Sequence, residues 1–190
     1  MISLRHHRIW STLSIVLLFG SHVVAAQEAE SEAAKNRAEI DKESAQVLKD
    51  FRAMKGAEAA FDKAVAYSIF KVTKAGFGAS GAGGEGVAVD KKSNARTYMR
   101  MGSAGAGFTF GLSRYDIVIL FATAEKFAAF QKGGWDSAAT AQAAAGSSGA
   151  EVSSDFFDGI AYYQIGRKGL MASADVSGTK FWIADELNKK

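Results

Sequence analysis

Apolar positions along this chain change their period twice. Residues 28–55 hold no Gly or Pro, and Ile40, Val47, Phe51 and Met54 recur at spacings of seven, four and three. That narrow stripe predicts a helix suited to packing on a surface, as a cap on the core. Gly56 breaks it, and Phe61 and Val65 on one face predict a second helix over residues 57–66. From Tyr67 the period falls towards two. Residues 67–72, 96–101 and 105–113 read as strands, and 116–122, with Ile-Val-Ile-Leu-Phe unbroken, reads as a strand buried on both faces. A short helix comes next over 123–131, with Thr123 as N-cap, Gly133-Gly134 as stop, and Phe127 and Phe130 inward. Residues 159–165, 170–176 and 180–183 are three further strand-like runs, turned by Gly166-Arg-Lys-Gly169 and Ser177-Gly178. The polar tail, 185–190, is expected to fray.

Residues 74–89 contain Gly76, Gly78, Gly81, Gly83, Gly84 and Gly86, and twice spell G-x-G-x-x-G. As a dinucleotide fingerprint that pattern needs a preceding strand and a following helix. Here Val-Ala-Val and the charged turn Asp90-Lys-Lys-Ser-Asn94 come after it, which predicts a β-hairpin. Glycines within strands mark close backbone approach, bulges or bends. Small residues also alternate at Gly105/Gly107, Ala141/Ala143/Ala145 and Ala172/Ala174, so one face of each strand lets something lie near. These patterns imply an α+β fold class: a curved antiparallel β-sheet, sandwich- or barrel-like, with N-terminal helices and one short helix packed at its edge.

The first 26 residues look like an export signal. Arg5 and Arg8 form a basic start, Ile9 to Phe19 an apolar run, and Val24-Ala25-Ala26 a small-residue cleavage site. The run is short for a membrane span, which needs about 20 residues. The expected organisation is a signal peptide over 1–26, an acidic helix over 27–56 and a domain over 57–190. The product is placed in the periplasm or outside the cell, peripheral to a membrane, after cleavage near Ala26. The chain has no Cys, and its three His (His6, His7, His22) all lie within the signal. A processed chain therefore has no Ser-His-Asp or Cys-His catalysis, no disulfide and no ordinary zinc site. No cofactor or metal is expected.

Net charge says little: 23 basic against 20 acidic residues give +3, and removing Arg5 and Arg8 leaves +1. Its distribution says more. Residues 27–62 carry nine acids against six bases, whereas 63–114 carry eight bases and only Glu85 and Asp90 as acids. A basic middle behind an acidic leader suits an anionic partner.

Several motifs together are similar to one known family. Lys74-Ala-Gly-Phe-Gly, then Gly84-Glu-Gly-Val, resembles the opening of the SYLF domain, related to the yeast actin-binding Ysc proteins. The likeness continues through Ser103-Ala-Gly-Ala-Gly, the apolar strand at 116–121 with its helix, and Trp135 with its spacing to Gly146 and Gly149. It ends with Arg167-Lys-Gly-Leu-Met-Ala and Ser177-Gly-Thr-Lys, covering residues 57–184. Where the family often has Pro, after the pair matching Ile69-Phe70 and after Gly146, this chain has Lys71 and Ser147. The resemblance implies an extended conformation over 138–145, against its local helix propensity. It also implies phospholipid binding, with phosphoinositides as ligands and actin as a partner in some eukaryotic members.

Three functions are open on these grounds. A lipid-binding module would meet the phosphates of anionic phospholipid or a membrane surface with Lys71, Lys74, Lys91, Lys92, Arg96 and Arg100, and with Arg167 and Lys168 at a neighbouring turn. Arg96, Tyr98 and Arg100 share one strand face, and Arg114 is expected to pair locally with Asp116. An enzyme would have to use carboxylates such as Glu85 with Asp90 or Asp116. A structural protein of the cell envelope would dock a protein partner through the helix over 28–55. Export and a near-neutral total disfavour nucleic acid. The preferred reading is the non-enzymatic lipid-binding module, with the envelope interaction protein as its alternative.

Overall fold

The computed structural model describes residues 13–76, 80–105, 111–133, 152–153, 155–166, 169–170 and 179–189. The chain divides into two compact units, Met1–Asn36 and Arg37–Lys190. Helix α1 (Leu13–Arg52) begins in the first and ends in the second. After α1, the second unit holds helix α2 (Ala57–Lys63) and strands β1 (Ala66–Gly76), β2 (Ser80–Asp90), β3 (Arg96–Gly105) and β4 (Gly111–Phe121). Then come helix α3 (Ala124–Gln131), strands β5 (Ile160–Gly166), β6 (Gly169–Leu170) and β7 (Thr179–Ile183), and a final turn of helix, α4 (Asp185–Asn188).

The seven strands form one open sheet in the order β6-β5-β4-β1-β2-β3-β7, every neighbouring pair antiparallel. The α+β class is as expected, and the sheet does not close into a barrel. Alternation along β1 assigns its two faces. Phe70 and Val72 point to one face, where they join Met99, Met101, Ile117, Ile119, Tyr162 and Phe181. Phe127 and Phe130 of α3 lie in the same cluster, so α3 covers a face of the sheet rather than standing at its edge. Ile69 points the other way, to Val118, Leu120, Tyr163 and Ile165, under Val47 and Phe51 of α1 and Ala57, Ala60 and Phe61 of α2. The apolar stripe of α1 is thus the cap that its spacing predicts, with Ile40, Val47 and Phe51 buried and Met54 half-buried.

The hairpin reading of the glycine stretch holds. β2 pairs antiparallel with β3 across the charged turn, from Val89 opposite Arg96 to Ser80 opposite Gly105. On its other side β2 pairs with β1, from Ala66 opposite Asp90 to Gly76 opposite Ser80. Gly86 and Gly84 are required by close approach. A Cβ at Gly86 would sit 2.0 Å from the Ile69 carbonyl oxygen and 2.6 Å from Cδ1 of Phe70, and one at Gly84 would sit 2.4 Å from the Lys71 carbonyl oxygen. Gly81 and Gly83 meet nothing nearer than 3.8 Å. Lys71, where the family often has Pro, continues β1 between Glu85 and Asp116, and no turn occurs there. The turn after β2 is held by Asp90, whose Oδ1 accepts from the amides of Lys92 (3.0 Å) and Ser93 (2.7 Å) and from the Ser93 hydroxyl (2.8 Å). Asn94 takes φ 56° to close it.

Other boundaries differ. α1 stops at Arg52, and α2 stops at Lys63 because Ala64 is extended (φ −79°, ψ 141°). Val65 therefore leaves the helix, 40% exposed, and its carbonyl accepts from the Lys91 amide at 3.0 Å. α3 begins as expected, the Thr123 hydroxyl accepting from the Lys126 amide at 3.3 Å, and Gly133 (φ 81°) lies just beyond its end. As far as residue 189 the tail does not fray: α4 buries Leu187, and Asn188 hydrogen-bonds the backbone of Tyr98 on β3. The strand expected over 138–145, Trp135, most of the run over 170–176, and Gly78, Gly107, Arg167 and Lys168 lie outside the described residues.

Candidate functional site: a charged sheet face beneath helix α1

Register places Arg96, Tyr98 and Arg100 on one face of β3, as predicted; it is the α1 side, and Lys71 lies on the same face two strands away. Asp116, Lys71, Glu85, Arg100 and Trp182 stand in one row across β4, β1, β2, β3 and β7. Charge alternates along the first four. Lys74 points to the opposite face by the same alternation, and Lys91 and Lys92 occupy the β2–β3 turn.

Lys71, Arg96 and Arg100 meet acids. Lys71 Nζ donates to Glu43 Oε1 at 2.8 Å, and Arg96 Nη1 lies 2.6 Å from Asp41 Oδ1, so two acids of α1 reach two cations on different strands. The Arg96 contact is an ion pair poorly aligned for a hydrogen bond. Asp41 Oδ2 accepts from the Tyr98 hydroxyl at 3.0 Å. Arg100 bridges Glu85 (Nε, 3.0 Å) and Glu186 of α4 (Nη2, 2.8 Å). Lys91 donates to the Phe61 carbonyl at 2.7 Å with its ammonium 4.2 Å from the Phe61 ring centroid. Burial pushes the Tyr67 and Tyr98 phenols above their usual range, so both stay protonated donors at neutral pH.

Among the described residues, clefts open between α1 and the sheet, two of which hold charged side chains. The larger, about 410 Å³, takes Asp41, Ser44, Ala45, Leu48, Lys49 and Arg52 from the helix, Glu58 from α2, and Tyr67, Val87, Val89 and Arg96 from the strands. Arg52 grips Glu58 in a fork, with Nε to Oε2 at 2.8 Å and Nη2 to Oε1, and its guanidinium carbon lies 4.8 Å from the Phe61 ring centroid. The smaller, about 290 Å³, is lined by Glu43, Lys71, Thr73, Arg114 and Asp116 among others. Arg114 thus shares a cleft with Asp116.

Sequence reasoning passed over Lys49 and Arg52, because they belong to a segment that is acidic as a whole. A signal was present. Asp41, Ala45, Leu48 and Arg52 fall at spacings of four, three and four, one stripe of a helix beside the buried stripe.

The carboxylates considered for hydrolysis do not face one another. Asp90 caps its turn, Glu85 is paired with Arg100, and Lys71 stands between Glu85 and Asp116 in the row. Two inter-strand spacings of about 4.8 Å separate their backbones. Among the described residues no three His, Cys, Asp or Glu side chains gather as a metal site. No helix among them is long and apolar enough to cross a membrane.

Comparison with known proteins agrees with the motifs. Residues 102–190 match the family model Ysc84, "Las17-binding protein actin regulator". The chain is 36% identical over 143 residues to "Beta cell expansion factor A" of Aeromonas veronii, a match covering 75% of this chain and 55% of that protein. It therefore spans about half the length of that relative. Through these matches and the motifs that precede them, the chain belongs to the Ysc84 family of SYLF-domain proteins.

Proposed function

We propose that this protein is an exported, non-enzymatic module that binds anionic phospholipid headgroups at the membrane surface of the cell envelope. Family membership makes it a lipid- or actin-related domain and suggests a non-catalytic protein. The observation that carries the finer reading is the gathering of Lys71, Arg96 and Arg100 on one sheet face, with Lys91 and Lys92 at the hairpin that borders it.

Their ion pairs are little obstacle to such binding. The side chains of Lys71 and Glu43 are 47% and 41% exposed. Pairs of that kind contribute about 0–1 kcal/mol, whereas each basic residue near an anionic bilayer gains about 1 kcal/mol. Exchange of carboxylate for phosphate is then favourable once several cations act together. Removal of residues 1–26 at the expected signal would leave the Arg37–Lys190 unit whole.

Co-sedimentation of the exported protein with vesicles tests this reading. Binding to anionic vesicles that weakens with salt, and is absent on zwitterionic ones, is the expected result. An absence of binding to either would overturn it in favour of an envelope interaction protein.

A further inference from the structure

We infer that the larger cleft is the phosphate seat: a phosphate ester on an aliphatic stem enters between α1 and the sheet, Arg96 and Arg52 turn from Asp41 and Glu58 to its oxygens, and Leu48, Val87 and Val89 receive the stem. The inference rests on the lipid-binding reading and assigns a place to the headgroup.

The cleft has the size of a small-molecule site, about 410 Å³ against the usual range of about 300–1,000 Å³. It also has the composition of one, with aliphatic side chains on its walls and a few polar groups that converge. Lys49, Arg52 and Arg96 outnumber the two carboxylates there. Tyr67 adds a phenol that is a donor at neutral pH.

Arginine suits this role because its planar fork meets two phosphate oxygens at once. Both arginines line the cleft beside a carboxylate, Arg52 in a two-point fork with Glu58 and Arg96 in a single ion pair with Asp41. Those pairs are open to solvent: the Arg52 and Glu58 side chains are 43% and 53% exposed, those of Arg96 and Asp41 39% and 31%. Each therefore holds weakly and can be exchanged. A second feature favours an anion. The Phe61 ring draws the charges of Arg52 and Lys91 within 5 Å of its centroid, concentrating positive charge beside Glu58 and Asp62. A phosphate at the mouth relieves that crowding. In this scheme Asp41 and Glu58 are competitors that select strongly charged headgroups over zwitterions.

The test uses the full chain, labelled so that arginine Nε–H resonances are visible by NMR, and titrated with inorganic phosphate and with soluble dihexanoyl phosphatidylglycerol. In parallel, binding to phosphatidylglycerol-containing vesicles is measured for the wild type, Arg52→Gln/Arg96→Gln, Glu58→Gln and Lys132→Gln, the last an exposed residue after α3. Shifts of both arginine resonances with the short-chain lipid, a tenfold or greater loss of vesicle affinity in the double variant, a two- to threefold gain for Glu58→Gln and none for Lys132→Gln are expected. Shifts with inorganic phosphate as well would support the seat and show that free phosphate also enters. Unmoved resonances, with vesicle binding intact in the double variant and in Glu58→Gln, would overturn the seat and leave the membrane reading standing. Shifts with phosphate but no vesicle binding by the wild type would support the seat and overturn the membrane reading. Glu58→Gln removes only an exposed carboxylate, so it decides the matter even if the double variant fails to fold.

Discussion

The side-chain amide of Asn188 pairs with both backbone groups of Tyr98: its Nδ2 donates to the Tyr98 carbonyl at 2.8 Å and its Oδ1 accepts from the Tyr98 amide at 3.0 Å. Strand β7 pairs with β3 from Met99 to Ser103, and past its end the Ala184 amide donates to the Tyr98 carbonyl at 3.0 Å while the Asn188 side chain completes the pairing. Asn188→Ala leaves the Tyr98 amide without this acceptor. The expected cost is about 1–2 kcal/mol, read by urea denaturation. A loss below about 0.3 kcal/mol would mean that water replaces the amide without penalty.

Gly86 and Gly83 lie on the same strand and make opposite demands. Gly86→Ala forces a methyl against the Ile69 carbonyl and the Phe70 ring, with backbone on one side and core on the other. It should cost about 3 kcal/mol or more, seen as loss of soluble protein or of the cooperative urea transition. Gly83→Ala, whose Cβ would meet nothing nearer than the Met101 carbonyl at 4.0 Å, should change stability by less than about 1 kcal/mol.

Ser68 is fully buried on the α3 face of β1, and among the described residues its hydroxyl has no hydrogen-bond partner. Exchanging it for Ala removes a desolvated polar group without opening a large void. Ser68→Ala should therefore be neutral or stabilising by up to about 1 kcal/mol. A clear destabilisation in thermal melts would show that the hydroxyl does have a partner.

Asp116 is half-buried at the end of the charged row. Burial raises its pKa above the usual carboxylate value, partly opposed by Lys71. A carboxyl whose folded pKa exceeds its unfolded one binds more protons when folded, so its contribution falls as pH rises from the unfolded value through the folded one. Asp116→Asn should thus stabilise the protein at neutral pH and do so little at about pH 3, below the unfolded carboxylate pKa. A stability difference from wild type that does not grow between these two conditions would refute the assignment. Glu58 and Asp90 act in the opposite sense, held low by Arg52 and by the Ser93 amide respectively. The comparison is therefore between variant and wild type at each pH, not along one acid titration.

How much of this was legible beforehand depends on how local each signal is. The cap helix could be read because Ile40, Val47, Phe51 and Met54 keep a helical period within one segment. The hairpin could be read because Asp90 to Asn94 carry their own turn chemistry. The docked tail could not, since Leu187 is a lone apolar residue among charges and the tail is tied to Tyr98 and Arg37, residues distant in sequence. Lys49 and Arg52 were hidden for a similar reason, because their segment reads as acidic and their neighbours in the cleft come from β1, β2 and β3.

The sequence alone determined the element types, the helical cap, the glycine hairpin, the family and the set of basic residues in the middle of the chain. Tertiary structure decided which acids those bases meet. Lys71 and Glu43 are 28 residues apart, and Tyr98 and Asp41 are 57 apart, yet each pair is in hydrogen-bond contact. It also decided that the sheet stays open, that α3 covers a face, and that Lys74 parts from Lys71. Periodicity is a property of near neighbours along the chain and survives in the sequence as written. Ion pairing and cleft formation depend on strand register and on the height of a helix above a sheet, which exist only once the chain has folded.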